Sequence, residues 1–473
     1  METMTNHNQE PANAEYWLEA MRPVFEGKKV ILVGDVIAGL IPRARIIREL
    51  GAESTFMLAT EGMGTGDEPE EEDSNWLALD APHFENIVEA IHAGQKLLAD
   101  LPYHAKNALD CYDPEREAMI VGGFLHEQPS VAGRKSLAYR KPEWLALDDK
   151  TTIDSVWDKI GVKREPSEVV PVNKTTVLAA TRRLDKGSGV VWSSDSKEGI
   201  NGGSTGVRWV RSEADVDKAL GYFQKHCDKL RVMPFLEGIP CSIHGMVFSD
   251  YVAAFRPVEM VVLRKPDSSE FFYAGTASFY DPNPADREDM RATAKNVGNA
   301  LRDMVNYRGL FTIDGVMTVD GFRPTELNPR SGAGIMPLLK GLPDLPLELI
   351  AQAVISGCES NFKPKELEEL IIKTADEQRG GGTWCAVPAH LPQTSNRPIK
   401  ITESGWQWAS DDEVNVGTVT IGPGVLGSFV RFAPTSAVSY GKSFAPLACD
   451  FWRFIDTNMG STIGKLEAAI TVR

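Results

Sequence analysis

Residues 311–334 read FTIDGVMTVDGFRPTELNPRSGAG. Two apolar runs, FTIDGVMTV and FRPTELN, meet at Asp320-Gly321. Asp-Gly between such runs is the strongest short-range signal for a β-hairpin. A strand has a side-chain period of two, so a hairpin decides which residues share a face. Glu326, Asn328 and Arg330 are spaced two apart and point one way, and Asp314 lies on the paired run. An acid, an amide and a guanidinium on one face, with a second acid opposite, make a poor apolar core. Carboxylate and amide oxygens are hard ligands suited to Mg²⁺. An Arg fork binds a phosphoryl or acyl-phosphate oxygen through two donors. Asp314, Glu326 and Asn328 are therefore the expected metal ligands, with Arg330 as the expected catalytic cation. Ser331-Gly332-Ala333-Gly334 follows, where glycine lets backbone N–H groups approach a ligand closely. The bland alternative, a solvated polar strand before a glycine turn, leaves Asp314 unexplained inside an apolar run.

Length divides the chain. Its 473 residues suit about two to four domains. The net charge of −16 argues against sequence-independent nucleic-acid binding and against an anionic membrane surface, both of which need basic stripes. It leaves room for an anionic nucleotide, because a local basic pocket with Mg²⁺ overrides global charge. The six Cys are scattered without metal-ligand spacing, which argues against a zinc site and suits a reducing cytoplasm. The start, METMTNHNQEPANAEYW, has neither the basic first residues nor the apolar stretch of a signal peptide. No apolar run approaches membrane-spanning length.

Residues 28–35 (KKVILVGD) read as a buried parallel strand, 41–50 as a helix ending at Gly51, and 54–58 as a second strand. This start predicts a Rossmann-like α/β unit over 1–139. Gly62-Met63-Gly64-Thr65-Gly66 reads as a solvated loop, because the acidic run 68–73 would repel phosphate. A second unit begins at about residue 140. It contains Lys150 at a helix start, a Gly-rich loop over 195–206 (DSKEGINGGSTG), and an amphipathic helix over 213–229. Strand-like segments over 231–258 and a long helix over 286–308 lead into the hairpin, and Gly380-Gly381-Gly382 reads as a hinge into a carboxyl-terminal region.

Asp…Glu-x-Asn-x-Arg on a hairpin resembles the metal and phosphate site of the ATP-grasp superfamily, and Glu326 to Gly332 (ELNPRSG) resembles that of its carboxylate–amine ligases. The resemblance implies an α/β fold in four parts: a Rossmann-like leading domain (1–139), a small α+β lobe (140–230), a large α+β lobe (231–360) and a small carboxyl-terminal domain (361–473). It implies ATP and Mg²⁺ as cofactors. It places Lys150 as the first phosphate-binding lysine, and Gly203, Ser204 and Thr205 in a flap over the phosphates. Met233, Phe235, Leu236 and Glu237 fall in the hinge that holds adenine and ribose. The chain departs from the pattern where a second lysine precedes the flap, since Trp192 and Ser193 stand there. Lys197 and Arg256 are the candidates to supply that charge; Lys186 is also near.

For the ATP-grasp ligases the implied chemistry is attack of a carboxylate on the γ-phosphate, then attack of an amine on the acyl-phosphate. Arg140-Lys141-Pro142-Glu143-Trp144, the Asn-Gly-Gly-Ser flap and the late domain resemble the pheganomycin-type peptide ligases. That likeness implies amino-acid or peptide substrates, with a homodimer common among such enzymes. Two alternatives stay open: an amide ligase of small-molecule metabolism and a non-catalytic ATP-binding module. A carboxylase is less favoured, as no segment for a swinging-arm cofactor is visible.

Overall fold

The computed structural model describes residues 13–73, 75–82, 84–197, 199, 202–389, 391–435, 438 and 440–473. Residues 1–12, read above as the start of no signal peptide, and Asn201 of the expected flap lie outside the described residues.

The apolar run after Lys28 forms β1 (Lys29–Gly34), buried at its four central positions. It pairs in parallel with β2 (Ser54–Ala59) on one side and β4 (Met119–Val121) on the other. β3 (Trp76–Ala78) flanks β2, which gives the order β3-β2-β1-β4. The helices of this unit are α1 (Ala14–Phe25), α2 (Ile37–Glu49), α3 (Ile87–Ala99) and α4 (Tyr103–Tyr112). A two-strand ladder, β5 (Ser130–Val131) with β6 (Arg134–Lys135), closes it. Buried Arg134 anchors the ladder through Asp113 at 2.7 Å. The short α5 (Pro142–Leu145) and α6 (Ile153–Ile160) lead onward, and α6 stops at Gly161 with φ +70°.

The small lobe alternates β7 (Glu168–Pro171), α7 (Lys174–Leu184), β8 (Val190–Ser194), β9 (Val207–Val210), α8 (Glu213–His226) and β10 (Lys229–Pro234). Its antiparallel sheet runs β7-β10-β8-β9. A capping box between Ser212 and Asp215 starts α8. Trp192, Phe223 and Val232 are fully buried in a core of its own. The expected lobe limit at residue 230 falls inside β10, so the small-lobe sheet runs on to Pro234.

The large sheet contains 11 strands among the described residues. They are β11 (Ile239–Val247), β12 (Val252–Ala254), β13 (Val258–Arg264), β14 (Phe271–Ala277), β15 (Gly309–Thr318), β16 (Gly321–Asn328), β17 (Gly381–Val387), β18 (Ser395–Thr402), β19 (Gly405–Trp408), β20 (Gly417–Gly424) and β21 (Gly427–Pro434). The order is β16-β15-β11-β13-β14-β17-β21-β20-β18-β19, with β12 on β11. Strands from beyond residue 361 thus continue the sheet that carries the hairpin. The expected glycine hinge is part of this continuity: Gly381 and Gly382 pair with Ala277 and Thr276. A Cβ on Gly381 would lie 2.5 Å from the Ala277 Cα, so close strand packing explains the glycine there. The helices α9 (Pro284–Val305), α10 (Ile335–Leu338), α11 (Leu347–Ile355), α12 (Pro364–Glu377) and α13 (Ala445–Met459) cover the sheet. One apolar core joins α1, α2 and β1 to Met246, Leu338 and Ile371, so the leading unit is docked on the large sheet. No helix among the described residues is long and apolar enough to cross a membrane.

Candidate nucleotide and metal site

β15 and β16 form the expected hairpin, with Thr318 paired to Gly321 and Val319-Asp320 as the turn. Gly321 has φ +94°, a conformation the turn requires and glycine takes without strain. Asp314 pairs with Glu326 and Thr312 with Asn328, but Gly315 pairs with Pro324. Thr325 is therefore an extra residue, a bulge that locally kinks the strand just before Glu326. Pro324 has no N–H to give a ladder, and β16 is the edge strand of the sheet, where that is tolerated.

The polar residues of the hairpin are wired together. Asp314 Oδ2 accepts from Asn328 Nδ2 at 2.9 Å, and Asp314 Oδ1 from Ser242 Oγ at 2.5 Å. Asn328 Oδ1 accepts from Arg330 Nη2 at 2.8 Å. Lys150 Nζ lies 2.7 Å from Glu326 Oε1. Burial first, and then the neighbouring Glu326 carboxylate, pushes Asp314 up to about 6. Burial and Asp314 likewise raise the Tyr273 phenol. The structure therefore brings together five residues expected from sequence: Lys150, Asp314, Glu326, Asn328 and Arg330.

The donor set fits magnesium. No group of three or more His, Cys, Asp or Glu is clustered for metal binding among the described residues. Asp314 and Glu326 supply two carboxylates and Asn328 an amide oxygen, and Mg²⁺ is commonly held by one or two carboxylates together with substrate phosphates.

A second layer holds the hairpin's exit. Thr312 Oγ1 donates to the Arg330 carbonyl at 3.2 Å and shares a 2.8 Å hydrogen bond with His244 Nδ1. Burial pushes His244 down to about 3, so it is a neutral packing residue. A Cβ on Gly334 would sit 2.2 Å from His244 Nε2, and one on Gly332 3.0 Å from His244 Cε1. The glycines expected to admit a ligand are thus required by this ring. Ser331 Oγ donates to Glu348 at 3.1 Å, and Arg43 of α2 holds the other Glu348 oxygen at 2.6 Å.

Other expected ligand contacts have different partners. Arg256 is buried and gives its donors to Asp376, Asp281 and the carbonyls of Pro257 and Tyr280. All three guanidinium nitrogens are thus engaged with groups away from the hairpin, so the structure does not bring Arg256 to Asp314 or Glu326. Lys197 Nζ is exposed and 2.7 Å from Asp228. Glu237 pairs with Arg264. Trp192 is a core residue whose Nε1 donates to Thr181 at 3.0 Å. Gly203 and Ser204 have φ +59° and +66°. With Thr205 they belong to the β8–β9 connection and make no hydrogen bond to the hairpin among the described residues. A Cβ on Gly203 would contact Ile87, and one on Gly199 would lie 3.0 Å from His92, so this loop rests on α3. Met233 and Leu236 flank Phe235, whose ring stacks on Trp209 at 4.1 Å with the Arg264 guanidinium 5.1 Å away. Three residues escaped the sequence reading. Ser242 faces Asp314 from β11, Tyr273 approaches from β14, and Arg231 ties the Asp154 carboxylate to the bulge carbonyl of Thr325. The spacing of Ser242 and His244, two apart on one strand, was the available signal for the first.

No family model and no curated protein sequence matches the chain. Solved structures do. The biotin carboxylase domain of the 2-oxoglutarate carboxylase from Hydrogenobacter thermophilus superposes with a TM-score of 0.52 over 94% of this chain and 91% of that one, at 14% identity. A pyruvate carboxylase variant from Rhizobium etli, solved with its allosteric activator acetyl coenzyme A, gives 0.51 over 87% of this chain and 36% of that one, at 17% identity. The chain has the ATP-grasp fold. The β7-β10-β8-β9 sheet lies where the small lobe was expected, and the β15–β16 hairpin lies at one edge of the large sheet.

Proposed function

We propose that this chain is a Mg²⁺-dependent ligase that joins a carboxylate to an amine at the expense of ATP, releasing ADP and phosphate. The observation that carries the reading is the hairpin cluster, in which Asp314, Glu326 and Asn328 present hard oxygens beside Arg330 and Lys150. The ATP-grasp fold supports it, and the Hydrogenobacter thermophilus neighbour is described with MgADP, ADP and bicarbonate.

Magnesium held by this set neutralises charge on the phosphates during transfer. The protein's part is positioning. Lys150 gives up Glu326 for a phosphate oxygen when nucleotide enters, exchanging one anion for another. Arg330, aligned by Asn328, holds the transferring phosphoryl group and then the acyl-phosphate oxygen. The carboxylate oxygen attacks the γ-phosphorus and ADP leaves. The amine nitrogen then attacks the acyl carbon, loses a proton and displaces phosphate. No nucleophilic side chain is needed. The substrates are proposed to be amino acids or peptides, on the likeness to the pheganomycin-type enzymes.

The test is ATP consumption with Mg²⁺ across amino acids and dipeptides, recording the nucleotide product and the mass of any conjugate. ADP with a new amide supports the reading, and AMP with pyrophosphate overturns it. Glu326→Gln should abolish turnover with the fold intact; near-normal activity in that variant would remove Glu326 from the site.

A further inference from the structure

A small cavity beside Arg330 lies where the leading unit meets the large sheet. Its volume is about 60 Å³, several times the roughly 10–15 Å³ that one water needs, which suits a group of a few heavy atoms. His126 reaches it from the connection between β4 and β5, Gln352 from α11, and Arg330 from the end of the hairpin. Phe124 also lines it and is 44% exposed, so the cavity opens beside that ring. The Phe124 ring centre lies 5.9 Å from the Arg330 guanidinium.

Two of these side chains carry buried acceptor atoms with no donor. Gln352 is 8% exposed, and its Nε2 donates to the Gly122 carbonyl at 3.0 Å. Turning the amide over would set oxygen against that carbonyl oxygen, so the orientation is fixed. Gln352 Oε1 is left without a hydrogen-bond partner among the described residues. His126 is 6% exposed, and its Nε2 shares a 2.9 Å hydrogen bond with Ser136 Oγ. The Ser136 hydroxyl gives its single proton to the Gln128 carbonyl at 2.7 Å, so His126 Nε2 is the donor in that pair. Burial pushes His126 down to about 4, which keeps the ring neutral. Its Nδ1 is then a bare lone pair, also without a partner among the described residues. Buried acceptors without donors are costly, and a ligand that brings the donors removes the cost.

The charged lining decides which donor fits. Glu348 is the one carboxylate in the described lining, and its two oxygens accept from Ser331 and Arg43. Arg140 is held by Glu127 and Asp148. No carboxylate there is left to hold an ammonium, and the Arg330 guanidinium disfavours a second positive charge beside it. A neutral primary amine matches the two acceptors with its two N–H bonds and keeps its lone pair free. A secondary amine has one N–H and leaves one acceptor unmet.

We propose that this cavity holds the nitrogen of the amine substrate as an uncharged primary amine, with Gln352 Oε1 and His126 Nδ1 each accepting one N–H and the lone pair left for the acyl carbon at Arg330. The chain thereby selects primary over secondary amines, and the leading unit supplies half of the selection. The nitrogen's part as nucleophile rests on the ligase reading; its binding does not.

The experiment is calorimetric titration of the full chain with glycinamide and with its N-methyl form, sarcosinamide, with and without MgADP, at about pH 9, where an α-amine is mostly uncharged. The expected result is saturable binding of glycinamide at least about tenfold tighter than sarcosinamide. Gln352→Met and His126→Gln each remove one acceptor and keep most of the side chain's bulk. Each should weaken glycinamide by about tenfold or more and erase most of its advantage, while MgADP binding stays at the wild-type value. His126→Asn, whose amide oxygen takes the place of Nδ1, should keep the preference. Equal affinity of the wild type for the two amides overturns the proposal whether or not a variant folds, as does a preference that survives both substitutions. So does the absence of saturable glycinamide binding up to about 50 mM. In crystals grown with glycinamide the amine nitrogen should lie between Gln352 and His126; a water in that place with the amide elsewhere overturns the proposal. Failure of every acid and amine pair to support ATP turnover would count against the ligase reading while the isotherms still decide the amine site. Turnover with secondary amines as fast as with primary ones would keep the ligase and remove the site.

Discussion

Replacing Lys150 with Met separates the two tasks assigned to this lysine, which are to neutralise Glu326 in the empty site and to meet phosphate in the filled one. Its ammonium lies 2.7 Å from Glu326, with the lysine side chain 9% exposed and the glutamate 23%. At an effective dielectric constant of about 20, that separation gives a gross attraction of about 6 kcal/mol. Desolvation of both groups offsets much of it. Removing one member of a buried pair costs about 3–5 kcal/mol; since Glu326 keeps part of its surface in water, about 2–3 kcal/mol is expected. The assay is urea unfolding, without nucleotide or metal, of wild type, Lys150→Met, Glu326→Gln and the double variant. A coupling of about 1–3 kcal/mol is expected, because the second substitution removes the charge that the first leaves unpaired. Mg²⁺ alone should then stabilise Lys150→Met more than wild type, since the ammonium no longer competes for the carboxylate. Additivity within about 0.5 kcal/mol would refute the reasoning, since it would mean the pair contributes nothing to the empty site.

Gly334→Ala should lower stability by about 1–3 kcal/mol, because its Cβ meets His244 and Val258 at 2.2 and 2.5 Å in a packed interior; an unchanged melting temperature would show that the loop yields freely. Burial pushes His126 down to about 4, against about 6.5 in an unfolded chain, so its contribution is complete above pH 6.5 and is lost as pH falls toward 4. Between pH 6 and 5 the wild type should therefore lose about 1 kcal/mol more unfolding free energy than His126→Gln, and parallel curves would contradict the assignment. Amide hydrogen exchange over residues 202–206 should slow when MgATP binds, as expected of a flap that closes on the phosphates; unchanged rates there would argue against closure.

The hairpin was legible because its information is local. Asp-Gly set the turn, and a period of two set which side chains cluster. The bulge at Thr325 was not legible, since it depends on how Pro324 meets the partner strand. Arg256 shows the other limit: its two acids, Asp281 and Asp376, lie 25 and 120 residues away, so sequence spacing carried no hint that its charge is already used. Gly332 and Gly334 read as an opening for a ligand, but the space beside them is filled by His244, brought in by β11 from nearly ninety residues earlier. The glycine run at 380–382 read as a hinge because flexibility and close packing demand the same residue, and only the partner strand distinguishes them.

The junction of β14 with β17 makes the carboxyl-terminal strands a brace for the sheet that carries the hairpin. Gly275, Thr276 and Ala277 lend one side of their backbone to residues 381–383. A chain ending near residue 361 would leave β14 as an open, largely apolar edge, a template for pairing with other chains. The last hundred or so residues therefore do not act as a cassette that evolution can add, lose or exchange by cutting in a linker. Any new partner for the hairpin-bearing half would have to arrive with a strand already shaped to accept that glycine-lined edge.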